Sequence, residues 1–235
     1  MSTAIVTGAS RGFGYELAGA LARQGWNLVI DARDGTDLEA AAAGLDSLGP
    51  GRVVFVVGDV SDRLHSSHLV DAAVGLGDFE LLVNNASILG PSPQPALSEY
   101  PIDMLEEVFR VNVVAPISLI QLALPHLRAR RGTVVNITSD AAVEPYEGWG
   151  GYGSSKAALE QASSVLDAEE PDVTVYWFDP GDMRTRMHQE AFPGEDISDR
   201  PLPATRVPAL MDLLERNLPG GRYTASSLLG EKVGA

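Results

Sequence analysis

Short apolar segments alternate with longer amphipathic segments from one end of the chain to the other. Strict alternation of this kind is typical of a parallel sheet that is covered by helices on both faces. Strand segments such as VVFVV and TVVNI are continuous apolar runs, as expected when both faces of a sheet are buried. We therefore predict a single α/β domain over residues 1–235, with a doubly wound parallel sheet of about seven strands.

The same pattern predicts where each element lies. Strands are predicted over 3–7, 26–32, 52–57, 79–83, 133–137, 173–178 and 221–224. Helices are predicted over 15–24, 37–48, 62–74, 103–130, 152–168 and 206–217. No internal repeat or linker divides the chain, and the proline-rich loops over 89–98 and 182–204 are predicted to be the most mobile.

Composition excludes several kinds of function. The 235-residue chain has no cysteine, which excludes disulfides, thiolate metal sites, iron–sulfur clusters and cysteine nucleophiles. A net charge of −15 repels phosphate backbones, so we expect no nucleic-acid partner. His65, His68 and His126 have no partners at metal-ligand spacing, so we expect no metal. Without a secretory signal pattern or a stretch of 18 uncharged apolar residues, we expect a cytoplasmic protein outside the membrane.

A glycine-rich loop with the sequence TGASRGFG, residues 7–14, follows the first predicted strand. Glycine is needed where a backbone approaches a pyrophosphate closely, and the free N–H groups at the start of the next helix face such an anion. The loop therefore predicts a Rossmann-like dinucleotide site. The residues predicted to contact the cofactor here are Gly8, Ser10, Arg11, Gly12, Phe13 and Gly14.

The spacing of these glycines resembles the TGxxxGxG loop of the classical short-chain dehydrogenase/reductase family. Further motifs of that family follow in the same order along the chain. They are Gly58-Asp59-Val60, Asn84-Asn85-Ala86-Ser87, Asn112, Asn136-Ile137-Thr138-Ser139, Tyr152-Gly153-Ser154-Ser155-Lys156, Asp179-Pro180-Gly181 and Thr185. The resemblance covers roughly residues 3–185, and Ser87 replaces the glycine that usually ends the NNAG motif. It implies an oxidoreductase that uses a nicotinamide cofactor.

Three of these residues point to proton transfer at a carbonyl oxygen. Tyr152 and Lys156 are four residues apart on one predicted helix and share a face. Ser139 ends a strand at the edge where ligands bind in open parallel sheets. A tyrosine is a poor acid at its ordinary pKa of about 10, and we expect the neighbouring ammonium to lower that pKa. The chain has 15 arginines and only two lysines, and it keeps a lysine here, so we predict Tyr152 as general acid or base.

The resemblance implies further roles. Ser139 would polarise the substrate oxygen, Lys156 would bind the nicotinamide ribose, and Asn112 would hold a water that links Lys156 to solvent. Asn112 could instead satisfy a helix distortion near Pro116. The other residues placed at the cofactor are Asp59, Val60, Asn85, Ala86, Tyr152, Pro180, Gly181 and Thr185, with Asp59 at the adenine and Thr185 at the nicotinamide carboxamide.

The end of the second predicted strand bears on the choice between NADP(H) and NAD(H). An acid here normally accepts hydrogen bonds from the adenosine ribose, whereas an arginine accommodates the 2′-phosphate of NADP. The pattern Ala32-Arg33 resembles the NADP version of the family and sets Asp31 one residue early, on the other face of the strand. With Arg11 as a second basic residue, we predict NADP(H). In the alternative, Asp31 binds the ribose of NAD(H) and Arg33 is a surface charge.

The substrate loop is predicted within 182–204. Its mixture of methionine, phenylalanine and acidic residues favours a small, partly apolar carbonyl or alcohol as substrate. His188 in this loop is expected to be exposed, with contact to the substrate as the alternative. Tyr146 and Trp149, just before Tyr152, either line the pocket or only pack.

We expect a homodimer or homotetramer, because the helix over 103–130 and the helix that begins at Tyr152 form such surfaces in the family that the chain resembles. The first of these helices carries an apolar stripe, which could equally belong to the core. The stripe consists of Val113, Ile117, Ile120 and Leu124.

Two other functions stay open beside an NADP-dependent reductase. One is an NAD-dependent alcohol dehydrogenase of the same family, and the other is a non-catalytic protein that senses NADP. Sensors of this kind usually lose the tyrosine or the lysine, so Tyr152, Lys156 and Ser139 favour an enzyme. The sugar-nucleotide epimerases and dehydratases of the extended branch need a longer chain.

Overall fold

The computed structural model describes residues 1–231 and contains seven parallel strands in one sheet. The strands are β1 (Thr3–Val6), β2 (Asn27–Ala32), β3 (Val53–Val57), β4 (Phe79–Asn84), β5 (Thr133–Ile137), β6 (Thr174–Asp179) and β7 (Gly221–Thr224). Their order is β3-β2-β1-β4-β5-β6-β7, so the strand order reverses between β1 and β4. Ligands bind at such a switch point, outside the carboxyl ends of the strands. The predicted Rossmann-like fold is confirmed.

Helices connect the strands and cover both faces of the sheet. Those in the described part of the chain are α1 (Gly12–Arg23), α2 (Gly35–Asp46), α3 (Arg63–Leu76), α4 (Ile102–Phe109), α5 (Ala115–Arg130), α6 (Gly150–Glu169), α7 (Arg186–Ala191), α8 (Val207–Arg216) and α9 (Ala225–Leu229). Between α4 and α5 the chain runs through π-helical turns, Arg110–Val114.

Strand side chains alternate between two apolar layers. Val6 and Val83 lie in the layer beneath α1, α2 and α8, whereas their neighbours Ile5 and Leu82 lie in the layer beneath α3 and α5. All four side chains are fully buried. Burial of a side chain of this size stabilises a fold by about 1.5–3 kcal/mol relative to exposure. The sheet is therefore a well-packed platform that holds the loops at its carboxyl edge.

The helices differ from their predicted positions in two places that matter for the site. The continuous helix predicted over 103–130 is interrupted by Arg110–Val114, and π turns of this kind occur frequently at functional sites. This turn contains Asn112. In addition, the segment predicted as a loop over 182–204 contains α7, a helix too short for periodicity to reveal.

The segment Ile102–Arg130 is long and apolar enough to cross a membrane by length and composition alone. Half of its most apolar stretch is buried within the fold, where α5 packs against β4 and α3. A helix packed in a core is apolar on its buried side, which accounts for this hydropathy. Ile120 and Leu124 of the predicted stripe lie in the same core layer. The homo-oligomer stays a prediction.

Candidate active site

A cavity of about 910 Å³ opens at the carboxyl ends of the strands. Its wall combines the glycine-rich loop, the ends of β2, β4, β5 and β6, the first turn of α6, and the segment that includes α7. The predicted site residues that line it are Gly8, Ser10, Arg11, Gly12, Phe13, Arg33, Asp59, Val60, Asn85, Ala86, Ser139, Tyr152, Lys156, Pro180, Gly181 and Thr185. Gly14 and Asn112 lie behind the wall, against residues that form it.

The glycine-rich loop needs glycine for two different reasons. Gly8 and Gly12 have φ angles of 65° and 61°, in the left-handed region that favours glycine. A Cβ at Gly14 would overlap the amide of Asn85 and lie 2.8 Å from the Gly8 carbonyl oxygen. Because α1 begins at Gly12, the free N–H groups of its first turn lie at the cavity and suit an anion. The Phe13 side chain is buried in the core, so this residue can offer only its backbone.

Thr7 joins the glycine-rich loop to the end of β4. Its hydroxyl accepts hydrogen bonds from the N–H groups of Asn85 and Ala86, each at 3.0 Å. In return, Asn85 Nδ2 donates to the Thr7 carbonyl at 2.8 Å. These bonds hold the two loops together across the switch point. Thr7 begins the TGxxxGxG pattern, but the pattern does not reveal its partners, which are 78 and 79 residues away and become neighbours only in the parallel sheet.

Two arginines mark one end of the cavity. Arg33 follows β2 and Arg11 precedes α1, and both side chains are exposed at the cavity wall. Asp31 also borders the cavity, but it is buried and both of its carboxylate oxygens take hydrogen bonds from within the protein. An acid whose two oxygens already take hydrogen bonds from the protein is a poor acceptor for ribose hydroxyls. The part of the cavity wall that Arg11 and Arg33 form therefore suits a ribose that carries a phosphate better than one with free hydroxyls.

Asp59 and Val60 line the cavity after β3. Asp59 Oδ1 accepts hydrogen bonds from the Ser61 backbone N–H at 2.8 Å and from the Ser61 hydroxyl at 2.7 Å. Burial acts to raise the pKa of the Asp59 carboxyl, but the Ser61 donors and the guanidinium groups of Arg110 and Arg33 hold that pKa below its usual value. Asp59 is thus an ionised acceptor at neutral pH, suited to an amino group such as that of adenine.

Tyr152 and Lys156 lie one turn apart on α6, and both are buried. The Lys156 Nζ atom is 5.5 Å from the centroid of the Tyr152 ring and donates to the Ile137 carbonyl at 2.8 Å. Burial lowers the pKa of Lys156 to about 8, while the charges of Asp179 and Glu160 oppose that change. The lysine is therefore charged at neutral pH and loses its charge in mild base.

The pKa of Tyr152 differs from the sequence expectation. Burial raises the pKa of this phenol well above its ordinary value, and the nearby Ser87 hydroxyl only partly opposes the rise. The carboxylates of Asp179 and Asp140 raise it further. The expected lowering by Lys156 is wrong for the protein without cofactor, because burial dominates and the ammonium binds a backbone carbonyl. Tyr152 is accordingly a protonated phenol at neutral pH, in the form that donates a proton.

Ser139 is held by the residue that follows it. Its hydroxyl donates to Asp140 Oδ1 at 2.9 Å and accepts the Ala141 N–H at 3.2 Å. The Tyr146 hydroxyl donates to Asp140 Oδ2 at 2.9 Å, and this bond raises the pKa of Tyr146 to about 12. To donate to a substrate oxygen, Ser139 has to give up its bond to Asp140. Tyr146 thus acts on the carboxylate behind Ser139, a contact that its position in the sequence does not signal.

The side chain of Asn112 is fully engaged by the protein. Its Oδ1 accepts from the Ile88 N–H at 2.9 Å and from the Ser87 hydroxyl at 3.2 Å. Its Nδ2 donates to the Ile88 carbonyl at 2.9 Å and to the Ser155 hydroxyl at 3.1 Å. A water held by Asn112 would therefore have to bind its main chain. The side chain instead ties the π turn to the loop after β4.

The segment that includes α7 closes one side of the cavity. Thr185 caps α7, and its hydroxyl accepts the His188 N–H at 3.1 Å. The expectation that His188 is exposed is wrong, because its ring is buried against Phe192 with centroids 4.9 Å apart. Phe192 in turn lies 6.0 Å from Trp149, which contacts the Tyr152 ring edge-on at 5.8 Å. Trp149 lines the cavity, so the catalytic helix and α7 are joined by aromatic packing.

These features fit a nicotinamide dinucleotide. A Cβ at Gly14 would fill the cradle of the glycine-rich loop, the start of α1 suits a pyrophosphate, and Asp59 suits an adenine amino group. When bound, such a cofactor supplies the hydride. Within residues 1–231, no group of three histidine or carboxylate side chains is placed to hold a metal ion.

The model of the short chain dehydrogenase family matches residues 2–196, which include every motif named above. The chain belongs to this family. The dehydrogenase is therefore an NAD(P)-dependent oxidoreductase with a Rossmann-like fold.

Two of the named relatives of the dehydrogenase are the following reductases. Benzil reductase ((S)-benzoin forming) IRC24 of Saccharomyces cerevisiae is 32% identical over 98% of this chain and 86% of its own length. Sepiapterin reductase of Mus musculus is 34% identical over 80% of this chain and 76% of its own length. The relatives support a general reductase role.

Solved structures agree in fold and include cofactor complexes. An alcohol dehydrogenase from the archaeon Thermococcus sibiricus, complexed with 5-hydroxy-NADP, has a TM-score of 0.85 and 27% identity over 95% of each chain. A short-chain dehydrogenase from Shigella flexneri complexed with NADP has a TM-score of 0.88 and 28% identity, covering 96% of this chain and 97% of its own.

Proposed function

We propose that this dehydrogenase uses NADPH to reduce a small, partly apolar ketone, with Tyr152 as general acid. The observation that carries the proposal is geometric: the Tyr152 phenol and the Lys156 amine lie one turn apart on α6, with Nζ 5.5 Å from the ring centroid, and both line the cavity that holds the glycine-rich loop. NADP in two structural neighbours and the reductase names of relatives support the same reaction.

Each catalytic side chain has a distinct part in this reaction. The hydroxyl groups of Ser139 and Tyr152 hold the ketone oxygen, which gains negative charge as the carbonyl carbon is reduced. Tyr152 donates its proton to that oxygen, so the alcohol forms and a phenolate remains on the enzyme. The Lys156 ammonium stabilises the phenolate until solvent returns a proton. The raised pKa of Tyr152 keeps the phenol protonated at neutral pH, as reduction requires, but it also makes the phenol a weaker acid, so the phenolate needs the charge of Lys156.

The lysine predicts a pH dependence for the reduction. Lys156 is charged below its pKa of about 8 and neutral above it, so its support for the phenolate is lost as pH rises. We expect kcat/KM for NADPH to be flat near neutral pH and to fall about tenfold per pH unit above about 8, because this parameter reports the free enzyme. The unfolding midpoint, followed over the same range, controls for loss of fold. A profile that stays flat through pH 10 would contradict the role of the lysine.

The residues that line the cavity beside Tyr152 favour an apolar substrate there. Leu89 and Trp149 line it there, and Met187 of α7 packs on the same cluster. Ser92, in the loop over 89–98, donates to the Glu190 carbonyl at 2.6 Å, so the two loops meet at this side. The relative named a benzil reductase makes aryl ketones the first class to test.

The function is tested by NADPH oxidation with a panel of aryl and alkyl ketones, benzil among them. We expect turnover with at least one apolar ketone and formation of the matching alcohol, measured by chromatography. Cofactor binding without turnover on a broad panel would favour the alternative function, a non-catalytic NADP sensor. The intact set of Tyr152, Lys156 and Ser139 argues against that alternative.

Arg33 is expected to select NADPH over NADH. A charge-assisted hydrogen bond to the 2′-phosphate contributes about 1.5–3 kcal/mol, so Arg33→Ala should raise KM for NADPH at least about tenfold. KM for NADH should change little, because that cofactor lacks the phosphate. Arg23→Ala, an exposed arginine at the end of α1 outside the cavity wall, is the matched control. A wild-type preference for NADH would instead support the NAD-dependent alternative.

A further inference from the structure

A buried acid–imidazole pair lies beneath the glycine-rich loop and takes no part in the proposed chemistry. Asp31, near the end of β2, is 1% exposed, and His65, in the first turn of α3, is 5% exposed. Asp31 Oδ2 and His65 Nε2 are 2.9 Å apart. Asp31 Oδ1 accepts the N–H of Gly8 at 2.7 Å. One oxygen of the acid is thus committed to α3 and the other to the loop that receives the cofactor.

The strand register explains why Asp31 faces α3. Side chains alternate along β2, so Val29 packs in the layer beneath α3, whereas Ile30 packs in the layer beneath α1 and α2. Asp31 shares the face of Val29, and Ala32 shares the face of Ile30. Asp31 and Ala32 both line the cavity, but it is Ala32 that lies on the face of α1, the helix whose start suits a pyrophosphate.

The surroundings of the pair are shaped to admit the imidazole ring. A Cβ at Gly58, just after β3, would overlap the His65 ring and lie 2.7 Å from its Cε1 atom. The ring therefore occupies the space of a missing side chain. The Ala9 N–H also donates to the Asp31 carbonyl at 3.1 Å. Asp31 thus accepts hydrogen bonds from two successive residues of the glycine-rich loop, Gly8 and Ala9. His65 of α3 in turn holds Asp31.

Burial raises the pKa of the Asp31 carboxyl, and the Asp59 carboxylate raises that pKa further. The hydrogen bonds from His65 and from the Gly8 N–H oppose this rise by stabilising the ionised acid. A buried acid that loses a partner is strongly disfavoured. Without His65, the acid stays ionised only if it turns toward the cavity, which Asp31 borders, and reaches water there.

We propose that Asp31 and His65 are a positioning pair that sets cofactor preference, a role that rests on the proposed NADPH dependence. The pair holds the Gly8 N–H, and with it the loop that faces the pyrophosphate. It also keeps the Asp31 carboxylate away from the adenosine ribose. Recognition of the ribose 2′-position is thereby left to Arg33.

Calorimetry of NADP⁺ and NAD⁺ binding to the full chain tests the pair. We expect His65→Leu to raise the Kd for NADP⁺ at least about tenfold and the Kd for NAD⁺ much less, because the released acid repels a phosphate and accepts ribose hydroxyls. The kcat at saturating NADPH should stay within about twofold, since the pair touches no reacting atom. His65→Gln, whose amide nitrogen reaches the same place, should restore most of the preference.

The chain offers a matched control on the same helix. His68 is exposed on α3, so His68→Leu should leave both dissociation constants unchanged. The unfolding midpoint without cofactor shows whether each variant folds. If His65→Leu does not fold, His65→Asn replaces it, because its amide is too short to reach the acid.

Three outcomes separate the possibilities. Unchanged constants in the folded His65 variants overturn the proposal. Equal rises for both cofactors without rescue by His65→Gln also overturn it, since the pair would then be only structural. A wild-type preference for NAD⁺, which is measured without any variant, overturns the proposed NADPH dependence and the pair's role with it.

Discussion

Replacement of Tyr152 by phenylalanine is expected to reduce kcat for ketone reduction about 10²–10⁴-fold, the usual contribution of a general acid. The variant loses the hydroxyl that we propose as the proton donor, while the ring keeps its place against Trp149, 5.8 Å away. The glycine-rich loop and Arg33 do not depend on this hydroxyl. The Kd for NADPH, measured by fluorescence titration, should therefore stay within about twofold.

Tyr223→Phe is the matched control, because its hydroxyl donates to the Pro219 carbonyl at 2.9 Å, away from the cavity wall. It should leave kcat unchanged. If Tyr152→Phe kept a third or more of the wild-type turnover, the proton would have to come from another group, and the assignment of the general acid would be wrong.

Replacement of Gly14 by alanine should weaken cofactor binding and lower the stability of the fold. The added Cβ would overlap the Asn85 amide and approach the Gly8 carbonyl to 2.8 Å, so the loop has to move. Overpacking of this kind destabilises a protein by about 1–3 kcal/mol, which corresponds to a fall in Tm of about 2–12 °C for a chain of this size. We expect the Kd for NADPH to rise at least about tenfold.

Gly75→Ala on α3 is the matched control, because a Cβ there has no neighbour within 4 Å. Alanine is favoured over glycine inside a helix by about 0.5–1 kcal/mol, so this variant should keep its Tm or gain slightly. Wild-type affinity and Tm in Gly14→Ala would show that the close approach to Asn85 does not shape the cofactor site.

The architecture could be predicted because its signals are local. Each buried strand is a continuous apolar run, and the strand predicted over 133–137 coincides with β5. The π turn at Arg110–Val114 was not predictable, because the apolar periodicity of the surrounding helix continues through it. The short α7 was missed for the opposite reason, since six residues carry too little periodicity.

Site residues could be predicted where the helix or strand that carries a side chain by itself fixes the position of that side chain. Tyr152 and Lys156 share a helix face, and Ser139 ends a strand at the cavity. Contacts between distant segments could not be predicted. His65 and Asp31 are 34 residues apart, and only the sheet order brings α3 beside the end of β2. Likewise, burial decides the pKa of Tyr152, and burial depends on the packing of the loops around it.

Hydride delivery to a ketone with proton donation by Tyr152 is tested most directly by isotope transfer. The reduction of a ketone substrate is run with NADPH that carries deuterium at both C4 positions, and the alcohol is analysed by mass spectrometry. We predict one deuterium on the carbinol carbon with the wild-type protein, and formation of the labelled alcohol slowed about 10²–10⁴-fold in Tyr152→Phe. NADPH consumption without label in the alcohol, or equal rates in the two proteins, would contradict it.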